Sequence, residues 1–347
     1  MQVFKETIVR RSFGMLTAVP QSIENQCGAP SVLSFANGES CCATCLNCQN
    51  PRCMWFTEQD VTCSAVADFP GDRSLEVCPV GAIAWDQQSE VPVIDQNKCI
   101  ECGLCIRRCP VGALYFDEGV SINSSGNDAT ISVPANHTTA FAQEDLLQTL
   151  IAVGKQGSTI RESDGLMELV YSRMASVRSN DQNTVVRNLL IGLGCTCAMR
   201  RIGDVYTRMD AIYTSQTGAF GAVEVEFGRD TLDASRGVLD DIAVLNTRYS
   251  IPKNANKALV VCLQLPNARQ GYWQVVRDIR IVEGIRISTL SIGALLLLLW
   301  NGKSFDPNSA SFYVDYDNMD VRSIIEHQIG RRVEIADKHL GILEPIK

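Results

Sequence analysis

A run of four closely spaced cysteines limits what this chain can fold into. Cys99, Cys102, Cys105 and Cys109 follow the pattern C-x2-C-x2-C-x3-C, and Pro110 comes directly after the last of them. Three thiolates at this spacing bind one face of a cubane [4Fe–4S] cluster, while the fourth, when proline follows it, ordinarily ligates a second cluster. The motif therefore predicts further cysteine ligands elsewhere in the chain.

The Cys-Pro step belongs to an internal repeat. The segment that begins at Cys78 reads CPVGAIAWD, and the segment that begins at Cys109 reads CPVGALYFD. Proline fixes the backbone φ angle at a corner, so the apolar residues that follow are expected to start a strand in each copy. The repeat predicts two related halves, each of which contains one Cys-Pro step.

On these two motifs, residues 41–118 resemble a bacterial two-cluster ferredoxin with a long insert in its first half. The resemblance implies two [4Fe–4S] clusters with crossed ligation. One cluster would take Cys78 together with the first three cysteines of the motif, Cys99, Cys102 and Cys105. The other would take Cys109 and three cysteines of the first half. A single cluster, with the first half degraded, is the alternative.

The first-half ligands have two possible assignments. Cys45, Cys48 and Cys53 have the C-x2-C-x4-C spacing of iron–sulfur subunits in multi-subunit reductases, with a proline two residues before the last cysteine, and we favour this set. Cys42 in place of Cys53 would instead give the simple ferredoxin spacing. Cys63 is left over in either assignment and is expected to be a small buried apolar residue.

Composition favours a reduced metalloprotein of the cytoplasm. Fifteen cysteines would also suit a secreted disulfide scaffold, but the chain opens without an apolar signal sequence, and its cysteines are concentrated at cluster spacing. The longest apolar run, Ile292 to Trp300, is far shorter than the roughly 20 residues that span a bilayer, so it predicts a buried helix and no membrane anchor. The net charge of −8 argues against indiscriminate binding of nucleic acid.

The length of 347 residues predicts about two domains. We expect an α+β iron–sulfur domain over 1–120, a linker rich in Ser, Asn, Thr and Gly over 121–143, and an α/β domain over 144–347. Within the last of these, an amphipathic helix is expected from Asp164 to Ala175.

A predicted hairpin in the second domain carries three acids. Val205–Thr214 and Ala222–Phe227 read as strands, and alternation in the second strand puts Glu224 and Glu226 on one face. Asp210 on the first strand would lie near Glu224. Like charges on one face repel unless a cation compensates, and Mg²⁺ held by carboxylates and a carbonyl serves phosphodiester hydrolysis. The alternative is an edge strand with surface acids.

The sequence Asp210-x13-Glu224-Val225-Glu226 resembles the motif of the PD-(D/E)xK nuclease superfamily, and more narrowly the BamHI-type restriction endonucleases, in which Glu occupies the Lys position. A predicted helix over 229–245 and a predicted strand over 257–265 fit the α-β-β-β-α-β order of that fold, with its central mixed sheet. The chain departs from the motif at Met209, which stands where the motif has proline.

The resemblance implies a role for each acid. Asp210 and Glu224 would ligate Mg²⁺ with the Val225 carbonyl, and Glu226 would orient or deprotonate the attacking water. Glu168, on the helix before the sheet, would add a further acid, although it reads equally as a solvated helix residue. A separate alternative puts Asp204 in the role of Asp210.

Together these features predict an iron–sulfur protein that is a Mg²⁺-dependent DNA endonuclease, in restriction or anti-phage defence. A homodimer or a multi-protein system is expected, because one site hydrolyses one strand. The alternative is a ferredoxin-type electron-transfer subunit of an oxidoreductase complex, and a third possibility is a non-catalytic DNA-binding component. No G-x-G-x-x-G fingerprint for a dinucleotide follows a predicted strand.

Overall fold

The chain divides into two compact units, seen in a computed structural model. One unit comprises Met1–Trp55 and Gly81–Ile160, and the other comprises Phe56–Val80 and Arg161–Lys347. The residues that the structure describes are 4–12, 15–22, 32–34, 40–42, 54–86, 91–108, 114–117, 121–124, 130–133, 160–204, 206–228, 231–309, 311–337 and 340–347.

The first unit contains short antiparallel strand pairs and one short helix, α1 (Leu104–Arg108). A three-stranded sheet has the order β2-β1-β9, and three hairpins pair β3 with β4, β5 with β6, and β7 with β8. The strands are β1 (Phe4–Ser12), β2 (Met15–Ser22), β3 (Val32–Ser34), β4 (Ser40–Cys42), β5 (Ile83–Asp86), β6 (Val91–Ile94), β7 (Leu114–Asp117), β8 (Ser121–Ser124) and β9 (Thr130–Val133).

Both Cys-Pro repeats lead into a strand, as the sequence predicts. β5 follows the copy that begins at Cys78, and β7 follows the copy that begins at Cys109. The segment expected to be a linker, 121–143, contains β8 and β9, and β9 pairs with β1 near the start of the chain. Part of that segment therefore belongs to the sheets of the first unit.

The second unit is built on one mixed sheet of five strands, which confirms the predicted mixed α/β class. Its order is β10-β11-β12-β13-β14, antiparallel through β12 and parallel from β12 to β14. The strands are β10 (Thr196–Met199), β11 (Ala211–Thr214), β12 (Phe220–Glu226), β13 (Leu259–Cys262) and β14 (Ser288–Ser291).

Six helices accompany this sheet, and side chains or glycines define several of their ends. Ser163 and Ser291 accept hydrogen bonds from the first turns of α2 and α6, and Gly284 ends α5 in the left-handed conformation. The helices are α2 (Asp164–Met174), α3 (Ser179–Gly192), α4 (Leu232–Tyr249), α5 (Tyr272–Glu283), α6 (Ile292–Trp300) and α7 (Val321–Ile329).

The order of elements from α3 to β13 is α-β-β-β-α-β, as predicted. β11 is shorter than the strand expected over 205–214, because the turn around Asp204 precedes it. All nine residues of α6 are buried, which confirms the prediction for the longest apolar run. Across the described ranges, no helix combines the length and the apolar character needed to cross a membrane.

The segment 56–80 was predicted to be an insert of the iron–sulfur domain, but it packs into the second unit. Cys63, Val66 and Phe69 join a buried cluster with Ile212 of β11 and Leu245 of α4. The backbone of the segment pairs with the end of β10, where the Asp72 amide donates to the Met199 carbonyl at 2.8 Å. Apolar side chains in 56–80 are therefore buried against the sheet, and the boundary differs from the predicted one.

A buried polar network attaches the same segment to α3. The Arg187 guanidinium is fully buried and contacts Asp72 Oδ1 at 3.2 Å and Ser74 Oγ at 3.2 Å. Asn188 donates from Nδ2 to the carbonyls of Glu76 at 2.9 Å and Val77 at 3.1 Å. These two residues of α3 hold the chain directly before Cys78.

Candidate functional site

The cysteine loop of the first unit is compact and curled. Cys99, Cys102 and Cys105 are all buried, and Cys105 lies in the first turn of α1. Glu101 and Gly103 adopt left-handed φ angles of 56° and 78°. Left-handed residues alternating with ordinary ones turn successive N–H groups toward one side, and such concavities bind anions that include Fe–S clusters. The loop therefore fits an anionic cluster.

The other predicted cluster ligands are only partly visible. Cys78 is half-buried and carries no disulfide. Only the backbone of Cys42 is described, in β4. Four further ligands lie outside the described residues, and their assignment stays a prediction: Cys45, Cys48, Cys53 and Cys109.

The cysteines of the second unit are packing residues, as expected. Cys63, Cys195, Cys197 and Cys262 are buried and unpaired. Burial raises the pKa of the Cys195 thiol to about 12, with a smaller contribution from Asp306, so this thiol stays protonated at neutral pH.

Asp210 lies at the edge where β11 begins, opposite the end of β12. Its Oδ2 accepts a hydrogen bond from the Val225 amide at 3.0 Å, and its Oδ1 accepts one from Asn183 Nδ2 at 2.9 Å. Arg200 Nη2 stands 3.6 Å from Oδ1. The N–H and C=O of one strand residue point to the same side, so the Val225 carbonyl is directed toward the same edge as Asp210.

Glu224 belongs to the same group of acids. Burial raises the pKa of Glu224 to about 8, and the charges of Asp210, Asp241 and Glu226 add to that effect, while Arg200 opposes it. The Glu224 carboxylate lies over Gly237 of α4, where a Cβ would approach its Oε1 to 2.9 Å. The structure thus brings together the predicted acids Asp210 and Glu224.

Asp241 was not anticipated from the sequence. It lies one turn beyond Gly237 on α4 and is buried, and its Oδ2 has no hydrogen-bond partner among the described residues. Burial raises the pKa of Asp241 to about 7, with further contributions from Asp210 and Asp240. The i, i+4 spacing from Gly237 is the sequence signal that puts Asp241 on the face toward Glu224.

The remaining predicted acids differ in position. Glu226 is half-buried, and its Oε1 accepts the Gly228 amide at 2.6 Å. Glu168 is exposed on α2, and no described contact joins it to Asp210 or Glu224. Asp204 accepts hydrogen bonds from the Tyr206 and Thr207 amides in its own turn, so its carboxylate caps that turn.

The donor set suits a hard cation. Two carboxylates and a carbonyl are ligands that Mg²⁺ accepts, with water completing the shell. Asp241 adds a buried carboxylate oxygen without a partner, and Arg200 is the one basic group described as acting on both Asp210 and Glu224. No three His, Cys, Asp or Glu side chains in the described ranges already enclose a metal position. A cation here would therefore take fewer than three side chains, plus the Val225 carbonyl.

Comparison with known proteins concerns the cysteine region. Residues 92–115 match the family of 4Fe-4S binding domains. An uncharacterized ferredoxin of Methanocaldococcus jannaschii is 39% identical over 46 residues, 13% of this chain and 29% of that protein. The uncharacterized ferredoxin-like protein YdhY of Escherichia coli is 31% identical over 67 residues, 19% and 22%. A selenate reductase subunit of Mesobacillus selenatarsenatis is 32% identical over 75 residues, 22% and 18%.

The chain therefore contains a 4Fe-4S ferredoxin-like domain near its N-terminus, which confirms the coarser part of the sequence prediction. It spans less than a third of the length of each of these relatives. Among solved structures, the restriction endonuclease FokI aligns with a TM-score of 0.28 and 8% identity, over 55% of this chain and 35% of that chain. At that TM-score the likeness carries no argument about function.

Proposed function

We propose that the second unit is a Mg²⁺-dependent endodeoxyribonuclease joined to an iron–sulfur module. The observation that carries the proposal is the meeting of Asp210, Glu224 and Asp241 at one edge of the mixed sheet. Three carboxylates in one half-buried place are costly without a cation, as the raised pKa values of Glu224 and Asp241 indicate. Acids that converge in this way are a frequent feature of catalytic sites.

Each group has a proposed role. Asp210 and Glu224 hold the cation together with the Val225 carbonyl, and Asn183 fixes the Asp210 carboxylate through its 2.9 Å hydrogen bond. A bound Mg²⁺ supplies Lewis-acid polarisation of a phosphoryl oxygen and lowers the pKa of water. Glu226, at the open end of β12, orients the attacking water.

Arg200 supplies the positive charge in this arrangement. Its guanidinium is partly exposed and lies 3.6 Å from Asp210, so it can reach a phosphate of the bound strand. Glu168 remains a proposed additional acid, although its exposed position on α2 gives it the weakest support of the predicted set.

In the proposed setting the partner is DNA, and a homodimer or a multi-protein restriction or anti-phage system supplies the second active site for the second strand. Two [4Fe–4S] clusters are proposed for the cysteine region, on the two Cys-Pro repeats. Cytoplasmic location is part of the same proposal. The iron content separates two clusters from one, at about eight against about four iron atoms per chain.

An electron-transfer subunit is the second candidate. The observation in its favour is that the matched relatives include ferredoxins and a protein that is named as part of a selenate reductase. This candidate accounts for the cysteine loop, but it gives no role to the buried carboxylates of the second unit.

One pair of assays separates the two candidates. Purified protein with intact clusters is incubated with supercoiled plasmid and Mg²⁺, and the same preparation is tested for reduction by dithionite and reoxidation by an acceptor dye. Nicking that requires Mg²⁺ and stops with EDTA supports the nuclease. Absence of nicking by protein that passes electrons rapidly to the dye supports the second candidate.

A further inference from the structure

A polar cleft lies at the opposite end of the parallel strands from the carboxylates. It is formed by the segments that precede β13 and β14, together with the loop from Pro307 to Tyr313, and it encloses about 410 Å³. Glu224 lies four residues along β12 from Phe220, which pairs with Asn256 beside the cleft. Four strand residues span about 13 Å, so the cleft is separate from the acidic site.

The cleft has a one-sided charge. Its lining includes three basic residues, Lys253, Lys257 and Arg286, and no Asp or Glu among the described residues. The chain as a whole carries a net charge of −8, so this concentration of positive charge is local. Such a surface attracts anions and repels cations.

Two of the basic groups are available to a ligand. No acidic group contacts Lys257 or Arg286 within the described part of the chain, while Lys253 forms an exposed ion pair with Glu283 at 3.2 Å. The Arg286 guanidinium carbon stands 5.8 Å from the centroid of the Tyr313 ring. Because the Tyr313 hydroxyl donates to Asp315 at 3.0 Å, that ring is fixed and in turn restrains Arg286.

A buried amide in the lining adds an independent observation. Asn256 is only 4% exposed, and its Oδ1 accepts the Ala222 amide at 3.2 Å. Its Nδ2 has no hydrogen-bond partner among the described residues. An unsatisfied buried N–H donor is costly, and a ligand that brings an acceptor oxygen removes the cost.

We propose that this cleft binds a phosphate ester of nucleotide size through Lys257, Arg286 and Asn256. Arginine and lysine are the usual phosphate partners, and the volume lies within the range of small-molecule sites but exceeds what a bare phosphate fills. The phosphate ester comes either from a free nucleoside phosphate or from the backbone of a nucleic acid. The site is additional to the proposed nuclease centre.

The test is calorimetric titration of the purified full chain with ATP, with a single-stranded DNA of about 12 nucleotides, and with inorganic phosphate. EDTA is present throughout, so that no cation links a phosphate to the carboxylates. The variants are Lys257→Ala, Arg286→Ala and Asn256→Asp, and Lys303→Ala is the control, because Lys303 is exposed and lies outside the cleft. Asn256→Asp retains the acceptor for the Ala222 amide and removes the free donor.

Each of the three variants is expected to raise the Kd about tenfold, since each removes one charge or donor, and Lys303→Ala to leave it unchanged. Loss of ATP affinity identifies a nucleoside phosphate as the source, and loss of DNA affinity alone identifies the nucleic-acid backbone. Thermal melting of each variant checks that it is folded. Folded wild-type protein that binds none of the three probes, or folded variants that bind like the wild type, would overturn the proposal.

Discussion

Asn183 donates a hydrogen bond of 2.9 Å from Nδ2 to Oδ1 of Asp210. Asn183 lies on α3, and the same helix holds the segment before Cys78 through Arg187 and Asn188. One helix thus contacts both the proposed nuclease centre and the chain that leads to a predicted cluster ligand. The position of Asp210 depends on where this helix lies.

Replacing Asn183 by Ala should lower the rate of Mg²⁺-dependent cleavage about 10- to 100-fold, because a hydrogen bond to a charged group contributes about 1.5–3 kcal/mol. Asn180→Ala is the matched control, since Asn180 is exposed on the same helix. Cleavage of supercoiled plasmid, followed by gel densitometry, measures both rates. Equal rates for the two variants would show that Asn183 does not position Asp210.

Gly237→Ala separates the stability of α4 from the geometry of the acids. Alanine favours a helix interior by about 1 kcal/mol over glycine, so the variant should fold at least as well as the wild type. Its Cβ would stand 2.9 Å from Glu224 Oε1, which forces the carboxylate to move. Cleavage should therefore fall while the melting temperature stays level or rises.

Gly165→Ala is the control for this experiment, because nothing lies within 4 Å of the added methyl group on α2. It should keep full activity. Full activity in Gly237→Ala as well would mean that the Glu224 carboxylate need not occupy its position over α4.

The contact between Asp72 and the buried Arg187 predicts a pH dependence of stability. Burial alone would raise the pKa of Asp72, but hydrogen bonds from Ser74 and the charge of Arg187 outweigh it, and the pKa is lowered in the folded protein. The folded state therefore binds fewer protons than the unfolded state near about pH 4, the usual pKa range of Asp. The stabilisation is present above that range and is lost as the pH falls through the folded-state pKa.

Asp72→Asn should accordingly lower the free energy of unfolding by about 1.5–3 kcal/mol at neutral pH, the range for a hydrogen bond to a charged group. The deficit should shrink below about pH 4, where the wild-type carboxylate also becomes protonated. Urea titrations at several pH values measure it, with the exposed Asp68→Asn as control. A deficit that is constant from neutral pH to well below pH 4 would contradict the proposed ion pair.

Local patterns were enough to predict the sheet region around the acids. Alternation along 222–227 and the apolar run at 257–265 correspond to β12 and β13, and the periodic stretch from 229 corresponds to α4. The proximity of Asp210 and Glu224 follows from hairpin pairing, which depends only on residues close in sequence.

Tertiary contacts decide what the sequence did not predict. Asp241 reads as an ordinary helix acid next to Asp240, and only the packing of α4 against β12 brings it toward Glu224. Asn183 has no motif of its own. The segment 56–80 looked like an insert because it lies between cysteine motifs, whereas its burial depends on Ile212 and Leu245, far away in sequence.

The central claim is that the carboxylates at the edge of β12 form a nuclease centre. Cleavage of supercoiled plasmid by Glu224→Gln in the presence of Mg²⁺ tests it most directly. The substitution keeps the size of the side chain and removes the charge, and Asp240→Asn, an exposed acid of the neighbouring helix, is the control. Cluster absorbance of both variants should match the wild type. We expect Glu224→Gln to lose Mg²⁺-dependent cleavage and Asp240→Asn to retain it; unchanged cleavage by Glu224→Gln would contradict the claim.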